Sequence, residues 1–116
     1  MTDARESCLF CKIAAGQIPA KIVKRGEGLL AFQDINPQAP THLLVIPTEH
    51  VASLAEAKDE KVLGRLLGFA RDLAREAGIT ERGYRVVLNS NADGGQTVFH
   101  LHLHVLGGRA MRWPPG

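Results

Sequence analysis

The chain has no long apolar run, no basic tract and only two cysteines, and each deficit excludes something. No segment approaches the roughly 18–20 consecutive apolar residues of a membrane span, so no membrane partner is expected. The beginning of the chain carries Asp3 and Glu6 and lacks the apolar stretch of about 7–15 residues that marks a secretory signal. Lys and Arg number 14 against 12 Asp and Glu, a net charge of only +2, and they are scattered rather than clustered. That pattern argues against a nucleic-acid partner. Two cysteines cannot form a disulfide scaffold, and the Cys8-x-x-Cys11 spacing suggests thiol or metal chemistry in a reducing compartment. Internal repeats, low-complexity segments, linkers and a Gly-rich strand-to-helix phosphate fingerprint are also missing. What remains is 116 residues, 45% hydrophobic and 22% charged. This is the profile of a single cytoplasmic domain, residues 1–116, that binds a small molecule.

Proline and glycine divide the chain into short elements. Cys8 to Ala15 predicts a short helix ended by Gly16, with Ser7 as its N-cap. Lys21–Lys24 and Leu29–Gln33 predict strands joined by Gly26-Glu27-Gly28, which is good hairpin chemistry. His42–Ile46 predicts a buried strand ending at Pro47. Residues 59–77 predict the one long helix, with Val62, Leu63, Leu66, Leu67, Ala70, Leu73, Ala74 and Ala77 at helical spacing. Asp59 and Glu60 favour its positive end, and Gly78 stops it. Tyr84–Leu88 and His100–Leu106 are the last predicted strands. Five strands with one long helix inserted late imply an α+β domain on an antiparallel sheet.

The chemistry concentrates in His100-Leu-His-Leu-His-Val-Leu106. Strand side chains alternate, so His100, His102 and His104 share one face while Leu101, Leu103 and Val105 anchor the other. Three of the five histidines on one face are hard to explain as packing, since each buried ring nitrogen demands a partner. One metal held by all three is disfavoured by reach. Side chains two apart on a strand lie about 6.5–7 Å apart, which separates the outer pair by roughly 13 Å, whereas a zinc–nitrogen bond is about 2.0–2.1 Å. Nucleophilic or proton-transfer work suits an imidazole, whose ordinary pKa of about 6.5 leaves much of it neutral at pH 7. The preceding segment, Asn89-Ser-Asn-Ala-Asp-Gly-Gly-Gln-Thr97, is rich in small polar residues. Gly94-Gly95 there allows backbone N–H groups to face an anion, and a long hairpin loop is the plainer alternative.

The His100–Leu106 segment resembles the signature of the histidine triad (HIT) superfamily. Three further stretches resemble its histidine triad nucleotide-binding (Hint) branch: Ala31-Phe-Gln-Asp-Ile-Asn-Pro-Gln-Ala-Pro-Thr-His-Leu-Leu-Val-Ile-Pro47, Asp93-Gly-Gly-Gln-Thr97 and Trp113-Pro-Pro-Gly116. With Ile18-Pro-Ala-Lys-Ile22 they run over nearly the whole chain. The resemblance implies a HIT-like fold, a five-stranded antiparallel sheet with one long helix and a short N-terminal helix.

It also implies a function. His102 corresponds to the family's nucleophile, which attacks the α-phosphorus of an adenosine phosphoramidate or acyl-adenylate. The covalent nucleotidyl-histidine then hydrolyses to AMP, without a catalytic metal. Asp34 matches the acid that binds the ribose hydroxyls, with Ile35 beside it against base and sugar. Asn89, Gly95, Gln96 and Thr97 match contacts near the phosphate, Thr97 standing where many members have serine. His104 matches a phosphate contact, and His42 matches a histidine near the triad, placed to share in the proton path to the leaving amine. Its plainer alternative is a packing residue at a strand end. Glu49, where relatives often carry lysine, leaves the preference among charged leaving groups open. Hydrolysis of dinucleoside polyphosphates and regulatory nucleotide binding with incidental hydrolysis are the alternative functions.

Gly64 and Gly68 lie four apart on the long helix, each costing roughly 1 kcal/mol of helix propensity relative to alanine. They suggest close approach by another backbone, and the resemblance implies a homodimer whose C-terminal segment reaches toward the partner's active site. Cys8, Cys11, His50 and His100 together offer two thiolates and two imidazoles, the chemistry of a closed structural zinc site. One structural zinc per chain is expected there, the alternative being two cysteines that serve only as core.

Overall fold

The computed structural model describes residues 5–116, so Asp3 lies outside the described residues. Elements follow in the order α1 (Leu9–Ala14), β1 (Ile22–Gly26), β2 (Leu29–Gln33), β3 (Thr41–Pro47), a 3-10 turn at Leu54–Glu56, α2 (Glu60–Glu76), β4 (Tyr84–Val87) and β5 (Leu103–Gly107). The strands form one antiparallel sheet in the order β1-β2-β3-β5-β4. The expected α+β architecture, with five antiparallel strands, one long helix and a short N-terminal helix, is the observed one.

Alternation along the strands sorts the core onto two faces. Leu29, Ala31, Leu43, Val45, Leu103 and Val105 pack with Leu66, Phe69, Ala70, Leu73 and Ala74 of α2. Leu30, Phe32, Leu44 and Ile46 pack with Phe10 and Ile13 of α1 on the other. Helix α2 starts where Asp59 Oδ1 accepts the Lys61 N–H at 2.9 Å and stops at Gly78, whose φ of +74° only glycine adopts without strain. Leu67 and Ala77, counted in its apolar periodicity, are exposed instead. Leu101, Leu103 and Val105 are all but fully buried, each contributing about 1.5–3 kcal/mol of transfer free energy. They fix the histidine segment on the α2 side, and its imidazoles consequently emerge on the α1 side.

Two local expectations are corrected. The N-cap of α1 is Cys8 rather than Ser7, its sulfur accepting the Cys11 N–H at 3.3 Å. Regular pairing in the last strand begins at Leu103, not His100, because Leu101 N–H turns away to the carbonyl of Val51 at 2.6 Å. That bond ties the start of the histidine segment to the chain leaving β3.

Candidate active site and metal centre

The structure divides the five histidines into two clusters. His100 lies with His50, Cys8 and Cys11, while His42, His102 and His104 gather with Asp34. Register explains the second group. Leu44 faces His104 across β3–β5 and His42 faces Leu106, so His42 and His104 are diagonal neighbours on one face. Helix α1 covers β2 and β3 on that face, and the edge of Phe10 meets His102 at 5.1 Å between ring centroids.

The hydrogen bonds assign the tautomers. A carbonyl can only accept, so His102 Nδ1 donates to the His100 carbonyl at 2.7 Å. In a neutral ring Nε2 is then the bare nitrogen. Among the described residues no fully buried side-chain nitrogen or oxygen lacks a partner, so His102 Nε2, which has none, keeps some exposure although the residue as a whole is buried. A backbone N–H can only donate, so His42 Nδ1 accepts from Gln38 at 3.0 Å and carries its proton on Nε2. That proton is donated to His104 Nδ1 at 2.9 Å, with Asp34 Oδ2 farther off at 3.4 Å. His104 is left with its proton on Nε2, as a donor. Neutrality follows from burial, which holds His42 and His102 below the ordinary imidazole range. Burial, with neighbouring His102 and His42, takes His104 down to about 4.

One polarised line therefore runs from Gln38 through His42 to His104. Asp34, His42 and His104 also have metal-ligand chemistry and spacing. A metal there would need a lone pair on His42 Nε2, and the Gln38 bond places the proton on that atom. As built, this cluster is a hydrogen-bonded line rather than a cation site. Asp34 Oδ1 accepts the Asn36 N–H at 2.8 Å, and the Ile35 side chain beside it stands in solvent at 98% exposure. Of the two, Ile35 is the side chain left uncovered, since the Asp34 carboxylate is mostly buried between Asn36 and His42.

The loop expected to cradle phosphate is organised differently. Gly95 N–H goes to the Ala92 carbonyl and Gln96 N–H to that of Asn91, at 3.0 and 3.1 Å. The buried Gln96 amide donates to Ala52 and Val98 carbonyls and accepts the Asn91 N–H. Gly95 and Gln96 are thus spent on shaping the loop. Gly94 is required because a Cβ there would lie 2.6 Å from the Ser90 carbonyl oxygen. Asn89 is half-buried, and Thr97 is exposed with its side chain uncommitted.

The other cluster fits a metal. His100 Nε2 donates to the Pro47 carbonyl at 2.7 Å, so its bare Nδ1 faces Cys8 Sγ at 3.3 Å and Cys11 Sγ at 3.5 Å. His50 Nδ1 lies 3.3 Å from Cys11 Sγ. All four donor atoms fall within 4.8 Å of one another. A zinc tetrahedron with ordinary bond lengths separates its donors by roughly 3.3–3.8 Å. The second-sphere carbonyl of Pro47 fixes His100 in the ligating tautomer. Burial also lowers the His100 pKa, to about 4, against the opposing bond to Pro47. An open groove of about 870 Å³, lined by Glu49, His50, Val62 and Leu101 among others, lies beside this cluster and not over His102.

The structure brings His42, His102 and His104 together with Asp34, while Gly95 and Gln96 engage their main-chain donors within the loop. Sequence reasoning missed Phe10 as the platform of His102, Pro47 as the acceptor that orients His100, and Gln38 as the donor that sets the His42 tautomer. Main-chain donors and acceptors carry no residue signature, so only Phe10, through its position in the α1 pattern, was discoverable beforehand.

The chain matches the family described as HIT domain over residues 15–111. A purine nucleoside phosphoramidase of Escherichia coli (strain K12) is 44% identical over 108 residues, covering 91% of each chain. A 14 kDa zinc-binding protein of Zea mays is 48% identical over 112 residues, 93% of this chain and 87% of that one. The crystal structure of a HIT family hydrolase from Legionella pneumophila Philadelphia 1 superposes with a TM-score of 0.92 at 54% identity, covering 95% of this chain and all of that one.

Proposed function

We propose that this chain, which belongs to the HIT domain family, is a nucleotide hydrolase that cleaves purine nucleoside phosphoramidates or acyl-adenylates to AMP. The observation that carries this reading is the His102 tautomer: Nδ1–H bound to the His100 carbonyl and Nε2 bare and accessible. In the first step the Nε2 lone pair attacks the α-phosphorus and the bond to the amine or acid breaks. In the second, water attacks the same phosphorus, the P–Nε2 bond breaks and AMP leaves. Two displacements at a neutral imidazole replace one at water. His104 Nε2–H faces outward as a donor for the phosphoryl oxygens or the departing group. The departing amine gains its proton from solvent and the attacking water releases one in the second step, while the His42 Nε2–H donated to His104 Nδ1 keeps His104 in its Nε2–H donor form. Asp34 and Ile35 take the ribose and base, and Thr97 the phosphate side. The 44% identity to a purine nucleoside phosphoramidase supports this substrate class over dinucleoside polyphosphates.

Cys8, Cys11, His50 and His100 hold a structural zinc in this reading, supported by their donor geometry and by the zinc-binding relative. The ion supplies a cross-link between α1 and the histidine segment, and takes no part in bond breaking.

The test is turnover of an adenosine phosphoramidate beside diadenosine tri- and tetraphosphate, with His102→Asn as control. Phosphoramidate cleavage should exceed that of the polyphosphates, and the variant should fall at least about a thousandfold, the scale of losing a nucleophile. Equal turnover by His102→Asn would remove His102 from the chemistry.

A further inference from the structure

The tautomers of His42 and His104 depend on one main-chain donor, the Gln38 N–H on His42 Nδ1. That donor sits in an exposed segment, Ile35–Gln38, between two strands. The bonds within this segment, Asn36 N–H to Asp34 Oδ1 and Gln38 Nε2 to the Asn36 carbonyl, tie it to itself. Its tie to the far end of the sheet comes from Arg109, whose Nε donates to the Gln38 carbonyl at 3.0 Å. The same guanidinium donates through Nη1 to the Ala110 carbonyl at 3.1 Å, which holds the fork in place. Gly108 makes the reach possible. Its φ is +91°, and a Cβ there would lie 2.9 Å from Pro40 Cβ, so the chain leaving β5 runs hard against the segment it grips. Arg85 Nη2 donates to the Arg112 carbonyl at 2.8 Å and pins the following residues.

Gln38 is thus held at both of its main-chain polar groups, the carbonyl by Arg109 and the N–H by His42. We propose that Arg109 is a positioning residue for this hydrogen-bonded line: by clamping Gln38 it keeps His42 in the tautomer that donates from Nε2 to His104, and so keeps His104 a donor at its own Nε2. The inference deepens the hydrolase reading and rests on it for its kinetic consequence, but the tautomer is measurable without any substrate. With the clamp released, the Gln38 N–H leaves Nδ1 and the proton of His42 redistributes between its two nitrogens. The Nδ1–H form presents a bare Nε2 to the bare Nδ1 of His104 and to Asp34 Oδ2. Lone pairs then face one another, and the line from His42 to His104 is cut.

The experiment is long-range proton–nitrogen correlation of the histidine rings in uniformly nitrogen-15-labelled wild type, Arg109→Ala and Arg109→Lys, alongside steady-state kinetics on an adenosine phosphoramidate. Wild type should show His42 protonated at Nε2. Arg109→Ala should show mixed tautomers at His42 and His104, with kcat down about tenfold and KM within about twofold. That loss is a fraction of the roughly 10²–10⁴ ascribed to a positioned acid or base. Arg109→Lys, which keeps one donor on a flexible stem, should lie between. Wild-type His42 protonated at Nδ1 overturns the proposal whether or not any variant folds. So does Arg109→Ala with wild-type tautomers, at any kcat. Mixed tautomers in a protein that cleaves no phosphoramidate would uphold the clamp and refute the hydrolase reading, so the two failures are distinct.

Discussion

Stripping zinc from the Cys8, Cys11, His50 and His100 cluster should lower the melting temperature by about 15 °C. The donors are already assembled within 4.8 Å, with His100 held in the ligating tautomer by Pro47, so little reorganisation opposes binding. Free zinc at about a thousand times its dissociation constant stabilises the folded state by roughly 4 kcal/mol, provided the unfolded chain binds it weakly. A chain of 116 residues melts with an entropy near 0.24 kcal/mol/K, taking about 2.1 cal/mol/K per residue, so each kcal/mol is worth roughly 4 °C. Calorimetry on protein purified without chelator, before and after chelation and dialysis, reads the shift, and elemental analysis should give one zinc per chain. Cys8→Ser/Cys11→Ser protein should hold no zinc and melt at one temperature in both conditions. A structural zinc is refuted if the native protein holds no metal or if chelation moves its melting point by less than about 2 °C. The site is refuted equally if the double variant keeps full zinc and the wild-type melt, which would leave the cysteines as ordinary core.

Acid should weaken the fold through His104. Its pKa is about 4 in the folded chain against an ordinary 6.5, so on acidification the unfolded chain takes up the proton first. Its stabilising contribution is whole above pH 6.5 and is lost progressively as pH falls toward 4; denaturant midpoints across that window should decline, less steeply in His104→Gln, and a flat wild-type profile would contradict the burial argument. The chain should sediment as a dimer at micromolar concentration. Leu67 is 57% exposed on the same helix as Gly64, above which there is open space, and β4 is an edge strand of the described sheet. A monomer would refute this, and in a dimer removal of Trp113–Gly116 should change substrate preference more than melting temperature.

The elements were legible where one period dominates. Leu29–Gln33 was bounded to the residue because β2 is buried on both sides between a glycine turn and Asp34, and α2 to within one residue at each end because its apolar stripe is long and capped at Asp59. Boundaries failed where a main-chain bond competes with the ladder. Leu101 satisfies its N–H on Val51, so His100 and His102 fall outside the strand whose alternation they nevertheless obey. The glycine pair was legible as a place needing glycine and misleading about why. Its neighbours' donors close the loop on itself, and composition cannot distinguish an N–H aimed at an anion from one aimed at Asn91. Metal-ligating chemistry was the most readable part of the site, since thiols and imidazoles are scarce enough in this chain to be counted.

His100 explains why two clusters with different chemistry can share a segment of five residues. Its side chain leaves toward Cys8 and Cys11, while its own carbonyl accepts the proton of His102 Nδ1. Whatever fixes the ring of His100 also limits how far its peptide group can swing, and that peptide decides which nitrogen of His102 is bare. Phe10 reinforces the same geometry from α1, with ring contacts to both histidines. The short N-terminal helix therefore bears on His102 both directly and through His100. Alternation by two places the histidines on one face, but backbone carbonyls decide which ring nitrogen each leaves bare. His100 donates from Nε2 and turns its bare Nδ1 to sulfur, whereas His102 donates from Nδ1 and turns its bare Nε2 to solvent. Identical side chains two residues apart acquire opposite tautomers, and with them different chemistry.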